Sequence, residues 1–135
     1  MRISFEKMAA NIAEEASKRS EDIYQKVGCV VLDEKYKILS IGYNGLKSKQ
    51  KVKNNFWKNR DLRRKYIIHA EINALSCVTR NDNPYMLVST LLPCSSCART
   101  IACYGIKKVL YNKNYKLDQE AKNIFKFYNI KLQKY

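Results

Sequence analysis

In Tyr85-Met86-Leu87-Val88-Ser89-Thr90-Leu91-Leu92-Pro93-Cys94-Ser95-Ser96-Cys97, an apolar run ends at a proline and two cysteines follow, three positions apart. Residues 85–90, preceded by Pro84, read as a short strand. Pro93 reads as the start of a helix reaching about residue 104, because a fixed φ and a missing N–H suit a first helical turn. Gly105 closes that helix, and Lys107-Lys108-Val109-Leu110-Tyr111 reads as the next strand. A strand, a helix and a strand in that order require a parallel crossover, since parallel neighbours cannot be joined by a tight turn.

Downstream, Asp118 is the expected cap of a last helix with Ala121, Ile124, Phe125 and Tyr128 inward, before a final strand near 130–132. Upstream, Phe5, Met8, Ala9, Ile12, Ala13 and Ala16 recur at helical spacing behind a Ser4 N-cap. Residues 19–25 are a polar connection. Val27-Gly28-Cys29-Val30-Val31-Leu32 then reads as a buried strand that turns at Asp33-Glu34-Lys35 and returns through residues 37–43, a hairpin. The order is αββαβαβαβ: an α/β protein, one domain over residues 1–135, with a single mixed β-sheet of about five strands sandwiched by helices. Asn44-Gly45 opens the one long connection. Residues 47–65 hold nine Lys or Arg against the single acid Asp61, with Phe56 and Trp57 in the middle. A basic loop alone is ordinary; the aromatics point to packing, as a flap on the substrate side or as an oligomer contact.

Cys94 and Cys97 share one face of a helical turn, where both sulfurs can reach one metal and the helix N-terminus favours thiolates. Alone, a Cys-x-x-Cys pair fits a redox dithiol or half of a structural zinc site equally well. His69-Ala70-Glu71 narrows the choice, and His69 is the only histidine in the chain. One imidazole and two thiolates make three ligands for Zn2+, which leaves a fourth position for water and marks a site that does chemistry. Glu71 stands two residues after the imidazole, close enough to move protons and not needed as a ligand, the position of a general acid/base. H-x-E followed by P-C-x-x-C is the pattern of zinc nucleobase deaminases. Cys29, Cys77 and Cys103 read as small core residues.

The length of 135 residues is enough for a core without staples, and 46% hydrophobic with 28% charged residues is ordinary for a globular chain. No run approaches the ~18 apolar residues of a membrane span. Charge arrives too early after Met1 for a signal peptide, so a cytoplasmic, reducing location is expected, with cysteines as thiols and ligands rather than bridges. The outlier is a formal net charge of +14. It fits an anionic partner, or a lysine enrichment that A/T-rich coding imposes.

Ser17-Lys18-Arg19-Ser20 ahead of Lys26-Val27-Gly28, then Gly42-Tyr43-Asn44-Gly45, and Lys65-Tyr66 leading to His69-Ala70-Glu71-Ile72-Asn73-Ala74 carry a family likeness. It continues through residues 90–98 and Gly105-Ile106-Lys107-Lys108-Val109. On these residues the chain resembles the deoxycytidylate deaminases of the cytidine deaminase-like superfamily, and the resemblance covers nearly its whole length. The zinc motifs are common to the superfamily; the insertion between Asn44 and His69 looks like the deoxycytidylate branch. The resemblance implies hydrolytic deamination of dCMP to dUMP, with zinc on His69, Cys94 and Cys97 and Glu71 as proton shuttle. It also implies that Asn44 contacts the sugar and the Ala70 backbone the base, that the protein is a homo-oligomer, and that dCTP and dTTP act as effectors in regulated members. The chain departs from the pattern after Asn44-Gly45, where relatives often have proline and a further glycine. Leu46-Lys47-Ser48-Lys49 stands there instead and argues against effector control.

A 5′-phosphate needs cationic donors at the rim of a small base pocket; Lys26 is the first candidate and the loop over 47–65 supplies others. The competing readings are a deaminase of a base in RNA or single-stranded DNA, like the transfer-RNA adenosine deaminases, and one that takes dCTP or cytidine. A non-catalytic zinc protein that binds nucleotides fits less well, because Glu71 is intact.

Overall fold

The computed structural model describes residues 1–135. Ser4 caps the first helix, α1 (Phe5–Ser17), by accepting a hydrogen bond from the Lys7 N–H at 3.0 Å. The hairpin follows as β1 (Gly28–Asp33) and β2 (Ile38–Tyr43), then α2 (Arg60–Tyr66), α3 (Ala70–Leu75), a 3-10 turn at Arg80–Asp82, β3 (Pro84–Leu91), α4 (Ser95–Cys103), β4 (Lys108–Lys113), α5 (Glu120–Phe127) and β5 (Lys131–Lys134). The five strands lie in the order β2-β1-β3-β4-β5. β1 is antiparallel to both β2 and β3, whereas β3, β4 and β5 are mutually parallel, as the crossovers through α4 and α5 demand. The mixed sheet is therefore the expected one, and α2 is an element added to the expected order.

The strand alternation sorts the core onto two faces. Val30, Leu32, Met86, Val88 and Leu110 meet Ala9, Ala10 and Ala13 of α1. Cys29, Val31, Leu87 and Val109 meet α3, α4 and α5 through Ala70, Ala74, Leu75, Ala98, Ile101, Ala121 and Phe125. Small residues let the helices lie close. A Cβ on Gly42 would stand 2.5 Å from the Ala74 nitrogen and 2.7 Å from the Ala70 carbonyl oxygen, so glycine alone lets α3 rest on β2. That contact matters because α3 carries the H-x-E motif.

The long connection between β2 and α3 is pinched shut at its neck, where Gly45 and Ile68 exchange backbone hydrogen bonds of 3.0 and 2.8 Å. Inside it, Phe56 is buried and meets Trp57 edge to face at 5.2 Å. Asn59 caps α2 through the Leu62 N–H.

Four local expectations need correction. Pro93 lies one residue before the N-cap of α4 rather than in its first turn, because Cys94 takes the cap position. Gln119, not Asp118, is the N-cap of α5. Tyr128 is exposed, as the helix ends at Phe127 and the chain turns away there. Cys29 is buried as expected, but Cys77, just beyond the end of α3, and Cys103, in the last turn of α4, are exposed. No helix is long and apolar enough to cross a membrane.

Candidate active site

Two helix starts meet at one end of the sheet. His69 is the N-cap of α3 and spends no side-chain hydrogen bond on the cap, so its ring is free to face the other start. Cys94 is the N-cap of α4, with its sulfur accepting from the Cys97 N–H at 3.5 Å. The His69 Nδ1 lies 3.3 Å from the Cys97 sulfur and 3.4 Å from the Cys94 sulfur, and all three donor atoms fall within 4.8 Å of one another. A tetrahedral zinc with ordinary bond lengths holds such ligands roughly 3.5–3.8 Å apart, so the triad fits that ion in donor chemistry and in spacing.

The sulfurs are electrostatically unequal. Cys94 is drawn down to about 4, chiefly by the hydrogen bond from the Cys97 thiol, with the His69 ring and the Cys97 N–H adding against the opposing effect of burial. Cys97 is pushed up, because it holds the proton that the pair shares and because it is buried. His69 is raised in turn by its hydrogen bond with Cys94. The pair thus yields one thiolate readily, and a cation is what would draw off the second proton.

Glu71 is the second residue of α3, in its first turn, with 4% of its surface exposed. Burial raises its carboxyl above the ordinary carboxylate value, opposed by its backbone, by His69 and by a hydrogen bond of 2.9 Å from the Ser89 hydroxyl. A buried carboxyl raised in this way, beside a metal triad, has the features of a group that accepts and returns protons.

A cavity of about 230 Å³ opens at this point, lined by Glu71, His69, Ala70, Cys94 and Asn44 among others. Five of the seven expected site residues thus share one cavity, and Cys97 joins them through its sulfur. Asn44 is buried and braced on both sides: its Oδ1 accepts from the Val27 N–H at 2.9 Å and its Nδ2 donates to the Gln25 carbonyl at 2.8 Å. Lys26 lies outside the lining, its ammonium donating to the Ser20 carbonyl at 2.6 Å. The cations that do line the cavity are Arg60, Arg63 and Arg64 of α2. Arg63 is anchored, stacking 4.2 Å over the Tyr24 ring and donating to the Trp57 carbonyl at 2.8 Å. None of the three is in an ion pair, for the one salt bridge in the chain joins Lys18 and Glu15.

Four further residues were not expected at the site. The loop after β4 brings Tyr115 and Leu117 to the cavity wall. Asp118, next to Leu117, bridges from that loop to the cysteine turn: its Oδ2 accepts from the Ser95 N–H at 2.8 Å and its Oδ1 from the Glu120 N–H at 3.3 Å. The bond from Ser95 holds the Asp118 carboxyl below the usual range. Nothing in the local sequence signals this contact, which joins residues 23 positions apart. Ser89 did leave a signal, as the polar residue that ends the apolar run Met86-Leu87-Val88 within the strand.

Comparison with known proteins agrees with this geometry. A family model of the cytidine and deoxycytidylate deaminase zinc-binding region matches residues 3–113. The probable deoxycytidylate deaminase of Caenorhabditis elegans is 35% identical over 109 residues, 76% of this chain and 54% of that protein. The deoxycytidylate deaminase of Mus musculus is 28% identical over 130 residues, 89% of this chain and 73% of that protein. The chain spans about half the length of the first curated relatives it matches. Among solved structures, the dCMP deaminase of cyanophage S-TIM5 in complex with dCMP and dUMP superposes with a TM-score of 0.81 at 25% identity, covering 100% of this chain and 99% of that one.

Proposed function

This chain belongs to the cytidine and deoxycytidylate deaminase family, and from that premise we propose that residues 1–135 form one zinc-dependent deaminase domain that converts dCMP to dUMP and ammonia. The observation that carries the reading is the His69, Cys94 and Cys97 donor triad beside the buried carboxyl of Glu71 in a cavity of about 230 Å³. That volume suits one pyrimidine and its sugar better than a drug-sized ligand.

His69, Cys94 and Cys97 would hold the zinc. In such a three-ligand site zinc supplies a water-derived nucleophile at neutral pH. Glu71 takes the proton that this water gives up and delivers it to N3 of the cytosine, which makes C4 electrophilic. Once the oxygen has bonded to C4, the same carboxylate takes the remaining proton from the new C4 hydroxyl and passes it to the amino group as the C4–N bond breaks. One water is consumed and one ammonia released, leaving a C4 carbonyl. The Ala70 backbone faces the base and Asn44, braced by Val27 and Gln25, faces the sugar in this reading.

Arg60, Arg63 and Arg64 are the natural partners of the 5′-phosphate, being cations in the cavity lining without a carboxylate to neutralise them. They supersede Lys26 in that role. The cyanophage enzyme solved with dCMP and dUMP supports the choice of nucleotide. We extend the family likeness to a homo-oligomer, which sedimentation would test; the departure at Leu46-Lys47-Ser48-Lys49 favours an enzyme without dCTP or dTTP control, which a turnover assay with either triphosphate would test. The substrate assignment is tested by comparing dCMP with deoxycytidine. dCMP is expected to have the higher kcat/KM by about 100-fold or more, as for a desolvated phosphate–Arg contact. Arg60→Ala and Arg64→Ala should shrink the preference while Lys26→Ala leaves it largely intact. Equal kcat/KM for nucleotide and nucleoside would contradict the phosphate assignment.

A further inference from the structure

The Ser89 hydroxyl is an expensive group where it stands. β3 runs Pro-Tyr-Met-Leu-Val-Ser-Thr-Leu, and from Met86 to Val88 every residue is wholly buried and apolar. Ser89 is also wholly buried. Its cross-strand partners in the register are Cys29 on β1, likewise wholly buried, and Tyr111 on β4, also buried, so the sheet shields the hydroxyl from water on both sides. A buried hydroxyl without a partner would cost about 1–3 kcal/mol, and alanine or valine would satisfy the strand without that cost. The hydroxyl donates to the Glu71 Oε1 at 2.9 Å and accepts a long bond from the Leu91 N–H at 3.4 Å. Both ends of this bond are rigid, one on the central strand of the sheet and the other on a helix that Gly42 lets rest on β2.

We propose that Ser89 is a positioning residue for the proton carrier: it pins Oε1 of Glu71 from the core side, so that Oε2 is the oxygen that exchanges protons with substrate. A glutamate has three rotatable bonds, and a proton transfer demands hydrogen-bond distance to a defined atom. α3 fixes the first atoms of the side chain, and the Ser89 bond fixes its end. The two carboxyl oxygens then differ in role, with the strand holding one and the cavity receiving the other. This rests on the reading of Glu71 as the proton carrier.

The test compares Ser89→Ala, Ser89→Val and Ser89→Thr in the zinc-loaded protein with dCMP as substrate. Val and Thr have nearly the same volume and differ in the hydroxyl, so their comparison separates hydrogen bonding from packing if either strains the strand. Ala and Val are expected to lose about 10-fold or more in kcat, the range for a hydrogen bond to a charged group, with KM and zinc content within about twofold of the parent. Thr should retain clearly more kcat than Val. The proposal is overturned if Ala keeps its kcat, if its loss lies in KM or zinc content, or if Thr and Val are equally impaired. Glu71→Gln assayed in parallel distinguishes the two levels: its near-normal turnover would defeat the reading of Glu71 itself, whereas an inactive Glu71→Gln beside a fully active Ser89→Ala would defeat the Ser89 proposal alone.

Discussion

Glu71 is a carboxyl that burial keeps closer to its neutral form than water would, and its chemistry and its effect on stability follow from the same fact. Glu71→Gln should retain zinc and fold while losing on the order of 10² or more in kcat. The sign of the pH effect is also fixed. With a folded pKa raised above the unfolded value of about 4.3, the group's contribution to stability is full below that value and is lost as pH rises through the raised one. Thermal unfolding of zinc-stripped protein should therefore find Glu71→Gln more stable than the parent at pH 7.5, with the gap closing toward pH 4; a gap independent of pH would contradict this. At this scale the sequence was most legible, because the identities and spacing of His69, Glu71, Cys94 and Cys97 already pointed to the cluster that the fold assembles. The place of Lys26 outside the cavity lining was not legible, because charge in a sequence says nothing of where an ammonium finds its acceptor, and here the Ser20 carbonyl takes it.

Elements place these residues, and two contacts do most of the placing. Gly42→Ala would push a methyl group into the α3 backbone at Ala70 and Ala74, so it should cost roughly 1–3 kcal/mol as overpacking and lower kcat by displacing Glu71. Chemical denaturation and steady-state turnover check the two effects. Asp118→Ala would free the Ser95 N–H at the start of the cysteine turn. Zinc transfer to a chelator should then be about tenfold faster or more, as when an outer partner of a metal site is removed, whereas Asp118→Asn, which keeps an acceptor, should stay near the parent rate. The hairpin and the two crossovers were legible because their apolar periods are strong. α2 was not: none of its residues is buried, so it has no apolar stripe to read. It is held instead by the Asn59 cap and by Arg63 against Tyr24 and Trp57.

Across the whole molecule the net charge of +14 has a focus where α2 brings three arginines outside any ion pair to the cavity, the part of it that the proposed function assigns to a phosphate. A single nucleotide displaces few counterions, so kcat/KM for dCMP should fall with salt on a log–log slope of about −2 or shallower. A strand crossing the same surface would give a much steeper slope. The core was legible from alternation, but the cavity was not, since its walls come from α2, α3, the cysteine turn and the loop after β4, which meet only in the fold. The central claim joins the metal triad, the buried carboxyl and the nucleotide, and one measurement reaches all three: ammonia release from dCMP by the zinc-loaded protein, by the same protein stripped with a chelator, and after zinc is restored. The prediction is about one zinc per chain in the loaded protein, release of ammonia matched by dUMP, loss of both on stripping and recovery of both on adding zinc back. Turnover of dCMP that persists without zinc, or no turnover of dCMP by fully loaded protein, would contradict the account.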